Sequence, residues 1–134
     1  MTTARADQRA VNCAIDYFPD SFSTAGQSLM GLQSANEGFL KALLRYGNFA
    51  SSIAHVRTAQ EAARFQHLAT EICGADQPIH HLFPDDQAGL ARAGALLHPF
   101  PGFGPLAWTR QFGGAASYSL LGITHTTIPR QVTW

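Results

Sequence analysis

YSLLGITHT, residues 118–126, is the stretch on which the fold is read. It is an apolar run carrying aromatic and β-branched residues and has the length of a strand. It ends on Thr124, His125 and Thr126, where a polar, titratable side chain leaves the sheet. In an open α/β sheet, ligands bind beyond the carboxyl ends of the strands, so His125 stands where such a fold uses a histidine.

Upstream, the chain alternates between strand-like and helix-like text. Val11 to Phe18, VNCAIDYF, reads as a first strand and stops at Pro19-Asp20. Leu32 to Tyr46 has helical periodicity, with Ser34 and Glu37 at capping-box spacing and Phe39, Leu40, Leu43 and Leu44 on one face. Phe49 to Val56 is a weaker strand. Thr58 and Glu61 form a second capping box for a helix reaching about Ile72, with Phe65, Leu68 and Ala69 inward and Gly74 as its stop. Ile79 to Phe83 is a short third strand. Asp85 or Asp86 caps a helix over QAGLARAGALL, HPFPGFG (98–104) is a turn-rich break, and Leu106 to Phe112 is a short helix. This alternation predicts a Rossmann-like, three-layer α/β/α fold with a mostly parallel sheet of about four strands. Residues 1–10 read as a loose leader.

Composition narrows the function classes. Of 134 residues, 46% are hydrophobic and only 13% charged, and the formal net charge is zero. The low charge predicts that part of the surface is covered by something else. Neutrality argues against nucleic acid and anionic membranes as partners. No stretch reaches the ~20 apolar residues of a transmembrane helix, and MTTARADQRAVN lacks the apolar core of a signal peptide, so a cytoplasmic location is expected. Cys13 and Cys73 stand outside any zinc-type spacing and read as buried free thiols, with a disulfide left open.

Several residues are candidates for chemistry. Ser21 to Gly31, directly after the first strand, occupies the place of a phosphate-binding βα loop. It lacks GxGxxG and Walker patterns, so an ordinary connection fits equally. His80 and His81 point to opposite faces of their strand, which favours packing over metal ligation. HPFPGFGPLAW, with His98, Phe100, Phe103 and Trp108, suits either a sugar-stacking surface or packing onto the domain. His125 can hydrogen-bond a sugar hydroxyl or phosphate, or be satisfied by Thr124 or Thr126. There is no Ser-His-Asp order and no paired-carboxylate motif.

YFPDSFSTAGQSLMGLQSANEGFLKALLRYG, the AQEAARF helix and SYSLLGITHT together resemble the N-terminal part of a bacterial GT-B type retaining glycosyltransferase, family 4-like, over residues 11–127. The resemblance implies two Rossmann-like domains facing across a cleft. The N-terminal one holds the acceptor, and the other binds a nucleotide-diphospho sugar, with no separate cofactor and no metal. It implies a catalytic role beside the transferred sugar for His125. Thr24, Ala25, Gly26 and Gln27 would line the substrate cleft, with Thr124 and Thr126 beside the histidine. The donor-binding domain and its acidic motif have no counterpart here, and IPRQVTW (128–134) reads as an atypical tail. A truncated, inactive unit is therefore expected, incomplete relative to the full N-terminal domain, with a missing C-terminal half or a homodimer as partner.

Two rivals follow from the same residues. A non-catalytic α/β interaction module would expose the HPFPGFGPLAW loop to a partner. A flavodoxin-like or response-regulator-like domain is a poorer match, since only Asp16 and Asp20 stand where an acidic cluster is needed.

Overall fold

The computed structural model of the chain describes residues 12–19, 22, 31–100, 102 and 104–123. The elements among the described residues follow in the order β1 (Ala14–Asp16), α1 (Gly31–Tyr46), β2 (Ser52–His55), α2 (Ala59–Cys73), β3 (Ile79–Leu82), α3 (Gln87–Ala93), β4 (Ala95–His98), α4 (Gly104–Arg110), a 3-10 turn (Gln111–Gly113) and β5 (Ser119–Gly122). The strands form one five-stranded sheet, order β3-β2-β1-β4-β5, with every pairing parallel. This is the doubly wound Rossmann order, whereas a flavodoxin-like domain would run 2-1-3-4-5.

Side-chain alternation builds the three layers. Ile15, Tyr17, Ala54 and Val56 point to one face, where Leu40 and Leu44 of α1 and Phe65 and Ala69 of α2 cover them. Ala14, Ile53 and Leu96 point to the other, against Leu90 and Ala93 of α3 and Leu106 of α4. Phe65 is fully buried and sets its ring edge against Tyr17, with centroids 5.3 Å apart. A ring of this size removes enough apolar surface to contribute about 3 kcal/mol.

The starts of α2 and α3 follow local chemistry, and α1 departs from the sequence expectation. Thr58 caps α2 by accepting from the Glu61 amide at 3.1 Å, and Asp86 caps α3 by accepting from the Gly89 amide at 2.9 Å. In α1, by contrast, Ser34 lies inside the helix, which begins at Gly31; Glu37 pairs with Lys41 at 3.2 Å. Phe39, expected on the inner face, is exposed, and Asn36 holds the buried stripe with Leu40 and Leu44.

The largest departure from the sequence expectation is β4. The periodic text QAGLARAGALL predicts one helix to Leu97, yet α3 stops at Ala93. Gly94 turns the chain at φ 90°, and its N–H bonds back to the Leu90 carbonyl. That left-handed conformation suits glycine and ends the helix. Ala95–His98 then enters the sheet between β1 and β5. The sheet thus has five strands rather than four.

β5 lies at one end of the described strand order, opposite β3. Tyr118, just before it, is buried and donates its hydroxyl to Gln87 Oε1 at 3.1 Å, which ties this edge to α3. Leu121 on the same strand is exposed. Cys13 and Cys73 are free thiols; burial pushes Cys13 up to about 11.

Candidate functional site at the carboxyl edge of the sheet

Three strands end on a titratable residue: AID16, SIAH55 and ALLH98. Their register puts them in one row. Asp16 pairs with His55 across β1 and β2, and the Ile15–Leu97 pairing carries Asp16 level with His98. In parallel strands, residues at one level point to one face, here the α3 face shared by Ala14, Ile53 and Leu96. The row therefore crosses the carboxyl ends of β2, β1 and β4. The gap between β1 and β4 is where the strand order reverses, the place at which doubly wound sheets bind ligands.

The Asp16 carboxylate gathers the row. Oδ2 lies 2.7 Å from His98 Nδ1, and Oδ1 lies 3.0 Å from His55 Nδ1. Oδ1 also takes the Arg57 guanidinium, which in addition donates to the Tyr17 carbonyl at 3.2 Å. Asp16 has no exposed surface. Burial by itself would raise its pKa. The hydrogen bonds from His55 and His98 and the charge of Arg57 outweigh burial and hold the carboxyl well below the usual carboxylate range. An ionised carboxylate only accepts, so both imidazoles donate Nδ1–H, and in the neutral ring Nε2 is left as an acceptor. His55 Nε2 is buried without a partner among the described residues.

Aromatic rings close over the row. The Arg57 guanidinium lies 3.6 Å from the Phe18 ring centroid, a cation–π contact. The His98 ring makes edge-to-face contacts with Phe18 and with Phe100, with centroids 5.8 Å apart in each pair. Side-chain exposure rises outward, from 0% at Asp16 and 5% at His55 to 12% at His98 and 32% at Arg57. His98 and Arg57 are thus the members a ligand can reach. A separate cleft of about 390 Å³ between β3 and α3, lined by His80, Arg92 and Asn12, lies away from this row.

The site residues expected from sequence fall elsewhere. Thr24, Ala25, Gly26, Gln27, Thr124, His125 and Thr126 all lie outside the described residues. His80 is exposed, while His81 packs edge-on against Phe65 of α2, with centroids 6.3 Å apart. Of the HPFPGFGPLAW segment, Pro99 is fully buried and His98 joins the row, so its first part packs inward; Trp108 is exposed. Among the described residues, no group of three or more His, Cys, Asp or Glu is arranged to hold a metal ion, and no helix is long and apolar enough to cross a membrane. Asp16, His55 and Arg57 escape the sequence reading as a group. The available signal was a charged or imidazole residue closing three of the apolar strands.

Comparison with protein-family models, with curated proteins and with solved structures gave no match. The fold and the row of polar strand ends therefore carry the functional reading.

Proposed function

We propose that this chain supplies the acceptor-binding, Rossmann-like domain of a GT-B type retaining glycosyltransferase. In that reading a second Rossmann-like domain binds the nucleotide-diphospho sugar, and sugar transfer takes place in the cleft between them. The observation that carries the ligand edge is the Asp16–His55–His98 row, which sets buried polar groups at the β1/β4 switch point. Burying a charge and two imidazoles is costly, and a domain stabilised only by packing gains nothing from it. Glycosyl transfer as the chemistry is supported by the resemblance of the first loop, the AQEAARF helix and SYSLLGITHT. His125, three residues beyond the end of β5, keeps its proposed place beside the transferred sugar.

Calorimetric titration of the purified chain tests this. Acceptor glycosides are expected to bind, while UDP-glucose and GDP-mannose alone do not, because their site belongs to the second domain. Micromolar binding of either nucleotide sugar contradicts the assignment of this domain to the acceptor.

A second reading, a non-catalytic interaction module, is favoured by Trp108 and Phe112, which are 71% and 90% exposed on and just after α4. Rings left this open are common at contact surfaces.

A further inference from the structure

We propose that His98 is the residue by which this edge takes hold of its ligand, with Nε2 accepting a hydrogen bond from a hydroxyl of an uncharged carbohydrate. The ligand class rests on the glycosyltransferase reading; the role of the imidazole rests on the geometry alone.

Asp16 Oδ2 holds Nδ1 of His98 at 2.7 Å, so that nitrogen carries the proton and is occupied. Nε2 is the ring nitrogen left for a ligand, and in the neutral ring it can only accept. Of the two imidazoles oriented in this way, His55 is 5% exposed and His98 12%, so His98 is the one on the ligand side. His55 adds a second, independent sign of polar demand at this edge. Its Nε2 is buried with no hydrogen-bond partner among the described residues, a destabilising arrangement that packing alone does not call for.

Charge selects among ligands. The Arg57 cation is paired with the Asp16 anion, and Arg57 also stacks on Phe18. With its imidazoles neutral, the row as described carries no surplus positive charge for a phosphate, and the Nε2 lone pair repels an anion. A hydroxyl donor suits it. The half-buried rings of Phe18 and Phe100 each meet His98 edge-on, with centroids 5.8 Å away. A single hydrogen-bond acceptor framed by aromatic rings matches the two kinds of surface on a pyranose, which are hydroxyls and apolar C–H faces.

Long-range ¹H–¹⁵N spectra of the histidine rings in the ¹⁵N-labelled chain test the proposal. The probes are methyl α-D-glucopyranoside, methyl α-D-mannopyranoside and inorganic phosphate. The expected result is a His98 ring protonated at Nδ1, whose Nε2 resonance moves with a glycoside and stays still with phosphate. His98→Phe, which keeps the ring packing, is expected to weaken glycoside binding roughly tenfold. Glycoside binding that leaves Nε2 unmoved overturns the role of His98 while the acceptor-domain reading stands. A shift with phosphate and none with glycosides overturns the ligand class and that reading together. A His98 ring protonated at Nε2, or no shift with any probe, overturns the proposal. The wild-type spectra decide these outcomes even where the variant fails to fold.

Discussion

Asp16 and His98 stand 82 residues apart in the chain and 2.7 Å apart in the fold, joined across β1 and β4 at the point where the strand order reverses. The contact exists because Gly94 ends α3 early enough for Ala95–His98 to become a strand. One left-handed glycine thus converts a helical text into the strand that completes the polar row.

The row makes stability depend on acid. Asp16 is held below the usual carboxylate range, burial being outweighed by His55, His98 and Arg57. A depressed folded-state pKa gives stability that is complete above the unfolded pKa, about 3.9, and is lost as pH falls below it. Asp16→Asn is expected to cost roughly 3 kcal/mol at pH 7, measured by urea unfolding. The gap between wild type and variant narrows at pH 3; a gap that stays constant contradicts this.

Two glycines are expected to respond oppositely to alanine. Gly94, at φ 90°, is strained by any Cβ, so Gly94→Ala costs about 1–2 kcal/mol. Gly38 is an exposed position inside α1 with open space where an alanine methyl would stand, and Gly38→Ala stabilises by about 0.5–1 kcal/mol. Thermal unfolding of both variants reads the difference in sign.

Thr58→Ala removes the oxygen that accepts from the Glu61 amide at the start of α2. About 1 kcal/mol of stability is expected to go with it, and Thr58→Ser restores most of it. Equal losses in the two variants would mean that the methyl group, not the cap, matters.

Phe65→Ala empties the centre of the α1–α2 layer, where the ring meets Tyr17 and His81. Chemical denaturation should show a loss of about 3–5 kcal/mol. Trp108→Ala, at an exposed site, should change stability by less than about 0.5 kcal/mol. A large effect at Trp108 would show that its ring is covered in solution.

The alternation of apolar runs made the parallel α/β architecture legible, because buried parallel strands and capped helices carry strong local patterns. AQEAARF, with Thr58 and Glu61, placed α2 to within a residue or two. Two things were illegible for physical reasons. ALLH reads as helix because Ala and Leu favour helices, and only the tertiary demand of the sheet, with the left-handed turn at Gly94, overrides that preference. The Asp16 row unites residues from three separate strands, and its register is set by pairing rather than by any local spacing. His98 stands out in the sequence, but in a loop; its partner across the sheet could not be read from its neighbours.

In the proposed function, ligands meet this domain at the carboxyl edge beside Asp16 and His98. Backbone amide ¹H–¹⁵N spectra, recorded while methyl α-D-mannopyranoside and methyl α-D-glucopyranoside are titrated in, test it most directly. Shifts are expected to gather at Asp16–Phe18, His55–Arg57, His98–Phe100 and the end of β5. Shifts gathered instead at the opposite edge, around Asn12, Ser51 and Gln77, or on Trp108 and Phe112, would contradict it.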